Sequence, residues 1–298
     1  MVLLAAFNGI DHIKAQLDSI LLQKDVNLVV SISDDLSNDG TYELLQELSY
    51  KDIRIKLLPL DGKFGSAGKN FFRLLREIDF SEFDYISFAD QDDIWDHDKL
   101  IRHVRLMQKN GVEGVSSNVL AFWPDGKTKL IDKAQPQRDL DFIFESAGPG
   151  CTFLMTPWLV RKVKELLRDK SNVVNQVDLH DWFLYAVCRA SGKKWLIDPT
   201  PSMQYRQHDK NVVGANSGIK AKLARLKKIS YGWYRAEVLK ILAITHQLSN
   251  NPKLVIISTL LEKKDFLSRL KLLRFIPQSR RKMSDRIFLA LIIIFGFF

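Results

Sequence analysis

Short apolar runs alternate with segments of helical periodicity through the first ninety residues, and this rhythm leaves few folds open. Residues 2–7 read as a strand, and residues 9–22 as a helix with apolar positions at Ile13, Leu17, Ile20 and Leu21. Strands at 28–33, 53–58 and 84–89 then alternate with helices at 42–48 and 65–78. A βαβα order predicts an α/β fold, a mostly parallel central sheet flanked by helices. The carboxyl ends of its strands would share one edge, where open α/β sheets bind ligands.

Those strand ends carry the polar residues. Asp90-Gln91-Asp92-Asp93 puts three carboxylates within four residues, directly after the run 85–89. Hard oxygen ligands there suit Mg²⁺ or Mn²⁺ bridging to phosphate oxygens; the alternative is an acidic turn. Asn8 and Gly9 end the first strand, as an ordinary βα turn or as a close approach to a ligand. Asp34-Asp35 ends the second. Capping by Ser37, Asn38 or Thr41 explains one acid better than two, and a carboxylate here can accept from a base or a ribose. Lys69-Asn70 follows the small residues 65–68, a segment able to approach phosphate, although the P-loop pattern is absent.

The middle of the chain is less regular. Residues 114–123 read as one strand, 157–167 as a helix with Pro157 in its first turn, and 194–198 as a short strand. His180-Asp181-Trp182 opens a helix, and Asp181 reads either as an N-cap or as a general base. Tyr205-Arg206-Gln207-His208, followed by 211–214, joins groups that suit a diphosphate. Arg206 can neutralise phosphate, and His208 can complete a metal shell.

Charge divides the chain. The whole carries +9, but residues 219–298 hold 17 Lys and Arg against 4 Asp and Glu. A near-neutral to acidic body with a basic tail points to an anionic surface as partner. Helices are expected at 230–248 and 253–273. The last dozen residues are almost all apolar, short of the ~20 needed to span a bilayer. Preceded by Arg280-Arg281-Lys282, they suit an interfacial anchor better than a buried helix. Cys151 and Cys188 show no paired spacing, which suggests a reducing compartment. The opening run lacks the basic region and cleavage site of a secretory signal.

Taken in order, Phe7-Asn8-Gly9, Ser33-Asp34-Asp35 with Ser37 and Asp39-Gly40-Thr41, Asp90 through Trp95, Gly150-Cys151-Thr152, His180-Asp181-Trp182 and Tyr205 through His208 resemble a family 2 glycosyltransferase of GT-A fold. The similarity is greatest to rhamnosyltransferase-like members that build bacterial surface polysaccharides. It covers residues 2–215, which implies a catalytic domain over 1–215 and a basic helical extension over 216–298.

The resemblance implies roles. Asn8, Asp34, Asp35, Asn70, Asp90 and Arg206 would bind a dTDP- or UDP-sugar. Asp92 and His208 would hold Mg²⁺ or Mn²⁺ at the diphosphate. Asp181 would deprotonate the acceptor hydroxyl, with Gly150, Cys151 and Trp182 on the acceptor side. The acceptor would be a saccharide or a lipid-linked oligosaccharide, and the protein would sit in the cytoplasm on the inner face of the membrane. Nucleic acid is not an expected partner. Two departures stand out: Ala6 replaces a hydroxyl residue, usually threonine, and Leu36 replaces a glycine in the Asp-Asp-Gly-Ser turn. A metal-dependent nucleotidyltransferase or phosphohydrolase is the competing enzyme reading, but Asn8 holds the place where a phosphohydrolase needs its aspartate nucleophile. A non-catalytic basic protein that binds membranes or nucleic acid would leave the acids unexplained.

Overall fold

The computed structural model describes residues 1–169, 173–208, 231–263 and 265–298. The expected alternation is present: β1 (Val2–Ala6), α1 (Ile13–Leu21), β2 (Val30–Asp34), α2 (Thr41–Lys51), β3 (Ile55–Leu57), α3 (Ala67–Glu77) and β4 (Ile86–Ala89). There follow β5 (Ile94–Trp95), α4 (Lys99–Asn110), β6 (Gly114–Ser117), β7 (Val119–Phe122), β8 (Thr128–Ile131), α5 (Asp141–Phe144), β9 (Leu154–Met155), α6 (Pro157–Arg168), α7 (His180–Ala190), β10 (Trp195–Asp198) and β11 (Met203–Arg206). The main sheet has the order β10-β6-β9-β4-β1-β2-β3. Its pairings are parallel except around β9, which runs against both β4 and β6.

β1 shows why the sheet sits where it does. Its side chains alternate between two apolar layers: Val2, Leu4 and Ala6 join α1 on one face, while Leu3 and Ala5 join α3, α6 and α7 on the other. Each fully buried leucine of this kind contributes about 1.5–3 kcal/mol. With both faces covered, strand polarity alone decides what reaches the edge. β1, β2 and β4 are parallel neighbours, so Asn8, Asp34-Asp35 and Asp90–Asp93 emerge together.

The single strand expected over 114–123 is two. The chain leaves the main sheet at Asn118, whose buried side chain donates to Pro199 O at 2.9 Å and accepts from Lys133 N at 2.6 Å. β7 then enters a second sheet, of order β5-β11-β7-β8. This small sheet positions the site, because it lays β11 beside β5 and the acidic stretch.

The expected helix over 253–273 is also divided, into Pro252–Lys263 and Phe266–Leu272, and Asp265 caps the second by accepting from Ser268 N at 2.9 Å. Helices Trp233–His246 and Met283–Ile294 flank this pair, and Val238, Ile241, Leu254, Ile257, Leu289, Ile292 and Phe298 belong to the same apolar cluster as Phe72 and Phe183. Arg280 and Arg281, expected at a lipid surface, are buried instead. The proposed boundary at 215, and the segment 211–214, lie outside the described residues.

Candidate active site

Beyond β4 the chain turns across the sheet edge. Gln91 stitches this turn to the end of β1: Phe7 N donates to Gln91 Oε1 at 2.7 Å, and Gln91 Nε2 donates to Phe7 O at 2.8 Å. Gly9 packs on the same side chain, and a Cβ there would meet Gln91 Oε1 at 2.4 Å. Asn8 takes φ 49°, a left-handed conformation that asparagine tolerates. Its Oδ1 accepts from Asn38 N at 2.9 Å, while its own amide donates to Ser37 Oγ at 2.8 Å.

The adjacent acids at the end of β2 do different things. Asp34 closes its own turn, accepting from Ser37 N at 2.7 Å and Ser37 Oγ at 2.6 Å. Asp35 holds a distant loop, accepting from Phe64 N and, at 2.8 Å, from Gly65 N. Leu36 adopts φ 56°, the conformation that a glycine at this position would accommodate freely; in a non-glycine residue it costs about 1–2 kcal/mol. Asn70 is buried, and its Nδ2 donates to Ser33 O at 2.9 Å and Ala6 O at 3.2 Å. That amide ties α3 to β1 and β2 rather than facing the cleft.

β11 brings the second group of polar residues. Arg206 N donates to Asp93 Oδ1 at 3.1 Å, and Arg206 Nε donates to Asp92 O at 2.8 Å. His208 Nε2 lies 2.8 Å from Asp92 Oδ2. The ring of His12, from the start of α1, faces His208 with centroids 5.1 Å apart.

A second cluster lies behind this one. Ligand atoms of Asp90, Asp93 and Cys151 approach within 4.8 Å of one another. Burial, then the charge of Asp92, raises Asp90 to about 7, and the same two causes push Asp93 well above the carboxylate range. Burial followed by the two acids drives the Cys151 thiol well above its usual range. A protonated thiol is a poor ligand for a hard cation. The oxygen of Asp92 and the nitrogen of His208, 2.8 Å apart, are donor types that suit Mg²⁺ or Mn²⁺. Lys99 of α4 is buried against the Trp95 ring, 3.5 Å from its centroid, and burial lowers it to about 7.

Asp181 stands in the first turn of α7, with its Oδ1 accepting from Trp182 N at 2.7 Å. Burial raises it to about 6, against the pull of hydrogen bonds from the Trp182 amide and Ser146 and of the Lys133 charge. Its charge also helps to raise Asp90. Gly150 presses on this turn: a Cβ would meet His180 Nε2 at 2.5 Å and Asp181 Cβ at 3.3 Å. His180 stacks on Phe71 at 4.2 Å, and burial lowers it to about 3, so it stays neutral. Trp182, expected on the acceptor side, is a core residue: it is 2% exposed, and its Nε1 donates to Phe142 O at 2.9 Å. Gln91, Lys133 and Ser146 were missed in the sequence. Gln91 lay within the acidic motif and had a signal; Lys133 and Ser146 arrive on a long connection and had none.

A mixed α/β sheet that gathers an Asp-x-Asp stretch at its strand ends, with a separate carboxylate at the start of α7, is the arrangement expected of a glycosyltransferase of GT-A fold. Residues 1–151 match the family described as glycosyl transferase family 2. The chain is 42% identical over 298 residues to the dTDP-rhamnosyl transferase RfbG of Shigella flexneri, covering 99% of this chain and 100% of the relative. It is also 31% identical over 152 residues to WfgD of Escherichia coli, a UDP-Glc:alpha-D-GlcNAc-diphosphoundecaprenol beta-1,3-glucosyltransferase, covering 50% of this chain and 56% of the relative. The protein belongs to glycosyl transferase family 2, as a rhamnosyltransferase-like member.

Solved structures agree on the fold. TarS 1–349 of S. aureus in complex with UDP superposes with a TM-score of 0.55 at 14% identity, covering 99% of this chain and 79% of that one. The mannosyltransferase PcManGT of Pyrobaculum calidifontis, in complex with GDP-Man and Mn²⁺, superposes with 0.55 at 15% identity, covering 97% and 74%.

Proposed function

We propose that the protein transfers rhamnose from dTDP-rhamnose, with inversion, to a hydroxyl of a saccharide acceptor in bacterial surface polysaccharide synthesis. The choice of donor rests on the full-length similarity to a dTDP-rhamnosyl transferase. The mechanism rests on one observation: beside an oxygen–nitrogen donor pair, Asp92 and His208, a separate carboxylate raised to about 6 acts electrostatically on Asp90. In this reading Asp181 accepts the proton of the acceptor hydroxyl. The freed oxygen lone pair forms the new bond to the anomeric carbon. The bond from that carbon to the diphosphate breaks, and dTDP leaves with the electron pair. One base and one leaving group on opposite faces need no covalent intermediate. Mg²⁺ or Mn²⁺ held by Asp92 and His208 would offset the charge on the diphosphate. Arg206 adds a fixed cation on that side. Asn8 and Asp35 lie at the nucleoside end, Asp90 near the donor sugar and Gly150 on the acceptor side, whereas Cys151, expected beside Gly150, is fully buried against Asp90 and Asp93. Residues 1–215 form the catalytic unit and 216–298 the extension.

The acceptor would be lipid-linked, with the enzyme peripheral on the inner face of the membrane. Phe266, Leu267 and Leu270 on one helix, Ile287 and Leu291 on another and Phe295 just after it are exposed, as are Lys271 and Arg274. Among the described residues no helix is long and apolar enough to cross a membrane. A surface of this composition suits the boundary of an anionic bilayer. Leu291→Asp should lower partition onto anionic vesicles several-fold; unchanged partition would remove the membrane from this reading.

The donor is tested by hydrolysis of a panel of nucleotide sugars without acceptor. dTDP-rhamnose should be cleaved in the presence of Mn²⁺ or Mg²⁺, and preference for a UDP-sugar would overturn the donor assignment.

A further inference from the structure

The turn that carries Asp181 is held from both sides. Its approach, residues 176–180, lies against α3 and against the helix Trp233–His246. On the α3 side the contact is direct: a Cβ on Gly68 would meet Asp178 O at 2.5 Å, so only a glycine lets the two backbones come this close. Asn70, two residues along α3, ties that helix to the ends of β1 and β2, where the donor-side residues emerge. On the other side the helix Trp233–His246 takes hold of main-chain groups. Asp178 N donates to Glu237 Oε2 at 3.0 Å, and Lys240 Nζ donates to Gln176 O at 2.6 Å. Trp233 Nε1 donates to Asp178 Oδ2 at 2.6 Å. Past Asp181 the same helix meets the chain again. The ring of Tyr234 stacks on Trp182, with centroids 5.9 Å apart and planes 25° apart. Trp182 N is in turn the donor to Asp181 Oδ1, at 2.7 Å.

We propose that Glu237 is a positioning residue for the reaction: with Tyr234 it clamps the chain at residues 178 and 182, and so sets where the Asp181 carboxylate stands relative to the donor edge. This rests on the reading of Asp181 as the base. The geometry favours positioning over simple cohesion on two counts. The contacts straddle Asp181, and the one at Trp182 leads by a hydrogen bond to the carboxylate itself. Glu237 is also buried, beside Val238 and Ile241, which pack into the apolar core from the same helix. Taking a carboxylate out of water is costly, and an apolar residue would serve cohesion as well or better. What this carboxylate answers is the main-chain amide of the loop, together with the Lys240 ammonium. A helix of the C-terminal extension, in this account, helps to build the catalytic site.

The test uses full-length protein, Mn²⁺ and dTDP-rhamnose, with water as acceptor, so that hydrolysis reads the base and dTDP affinity reads the donor side. Glu237→Met removes the acceptor of the Asp178 amide. It should lower kcat for hydrolysis roughly tenfold or more while dTDP affinity holds, because small misplacements of a reacting group are costly in rate. The midpoint of its pH–rate profile should also fall, since a loosened turn lets water reach Asp181 and burial is what raises that carboxyl. Lys133 and Asp90, the charged groups that act on Asp181, are untouched by the substitution. Glu237→Gln keeps an oxygen for the Asp178 amide and should recover most of the rate. Tyr234→Leu loses the stack on Trp182 and should lower kcat in a folded protein. A folded Glu237→Met with wild-type kcat overturns the proposal, as does a lowered rate with an unmoved midpoint, or an equal loss in Glu237→Gln. If Glu237→Met does not fold, a wild-type rate in Tyr234→Leu overturns it. Asp181→Asn is run alongside: normal hydrolysis there sinks the assignment of the base itself, whatever the Glu237 and Tyr234 variants do.

Discussion

Two buried groups of acids lie in this protein, and they are neutralised in opposite ways. At the sheet edge, Asp90, Asp92 and Asp93 crowd one another, and burial with mutual repulsion raises Asp90 to about 7. Under the extension, Asp141 and Glu145 are set among Arg189, Arg280 and Arg281 at 3.2–3.7 Å. The second group is complete within the chain and serves the fold. The first concentrates negative charge at the strand ends, and perturbed acids of this kind often mark a functional site. Burial alone therefore says little about role; the partners decide it.

The comparison can be broken from either side. The largest effect is expected from Arg281→Ala, which leaves two buried carboxylates short of a cation and should cost about 3–5 kcal/mol in denaturant unfolding. A loss below about 1 kcal/mol would mean that the cluster is not built around this side chain. Next comes the sheet edge. Asp92→Ala, or chelation of the metal, should reduce transfer by roughly 10²–10³, the scale of losing one electrostatic stabiliser of a leaving group. Stability should change little, and activity that survives a chelator would contradict the metal assignment.

The difference between the two groups also explains what the sequence disclosed. The donor side was legible because each of its motifs is contiguous and follows a strand: Asn8 after β1, Asp34-Asp35 after β2, Asp90–Asp93 after β4. Parallel neighbours then do the assembly. Even there, chemistry did not fix the parts. Asn70 looked like a phosphate contact beside small residues, yet burial turns its amide onto strand carbonyls. Trp182 adjoins Asp181 in sequence, but on the first turn of α7 successive residues face different ways, and it enters the core. The surroundings of Asp181 were illegible because Lys133 and Gly150 reach it from distant segments that no local periodicity links. The basic run at 280–282 read as a lipid contact because composition cannot tell a surface arginine from a buried, paired one.

A smaller effect concerns pH. Asp181 is raised from an ordinary value of 3.8 to about 6, and in the proposed role of base it must be ionised to accept a proton. Hydrolysis and transfer should therefore fall as pH drops through about 6, approaching tenfold per unit. The same shift acts on stability with the opposite sense. The folded state favours the protonated form, so ionised Asp181 costs stability above pH ~6, and that cost fades as pH falls towards its unfolded value. Asp181→Asn should thus be more stable than wild type at pH 8, by on the order of 1–3 kcal/mol, and should show no such gain at pH 4. A pH–rate profile flat down to pH 4.5 would place the base elsewhere.

The division of labour between Asp92 and Asp181 is the centre of this account, and single-turnover transfer by Asp181→Asn tests it most directly. With dTDP-rhamnose and Mn²⁺ the variant should bind donor as tightly as wild type and release dTDP roughly 10²–10⁴ times more slowly, the usual worth of a positioned base. Release at the wild-type rate, with donor binding intact, would contradict it.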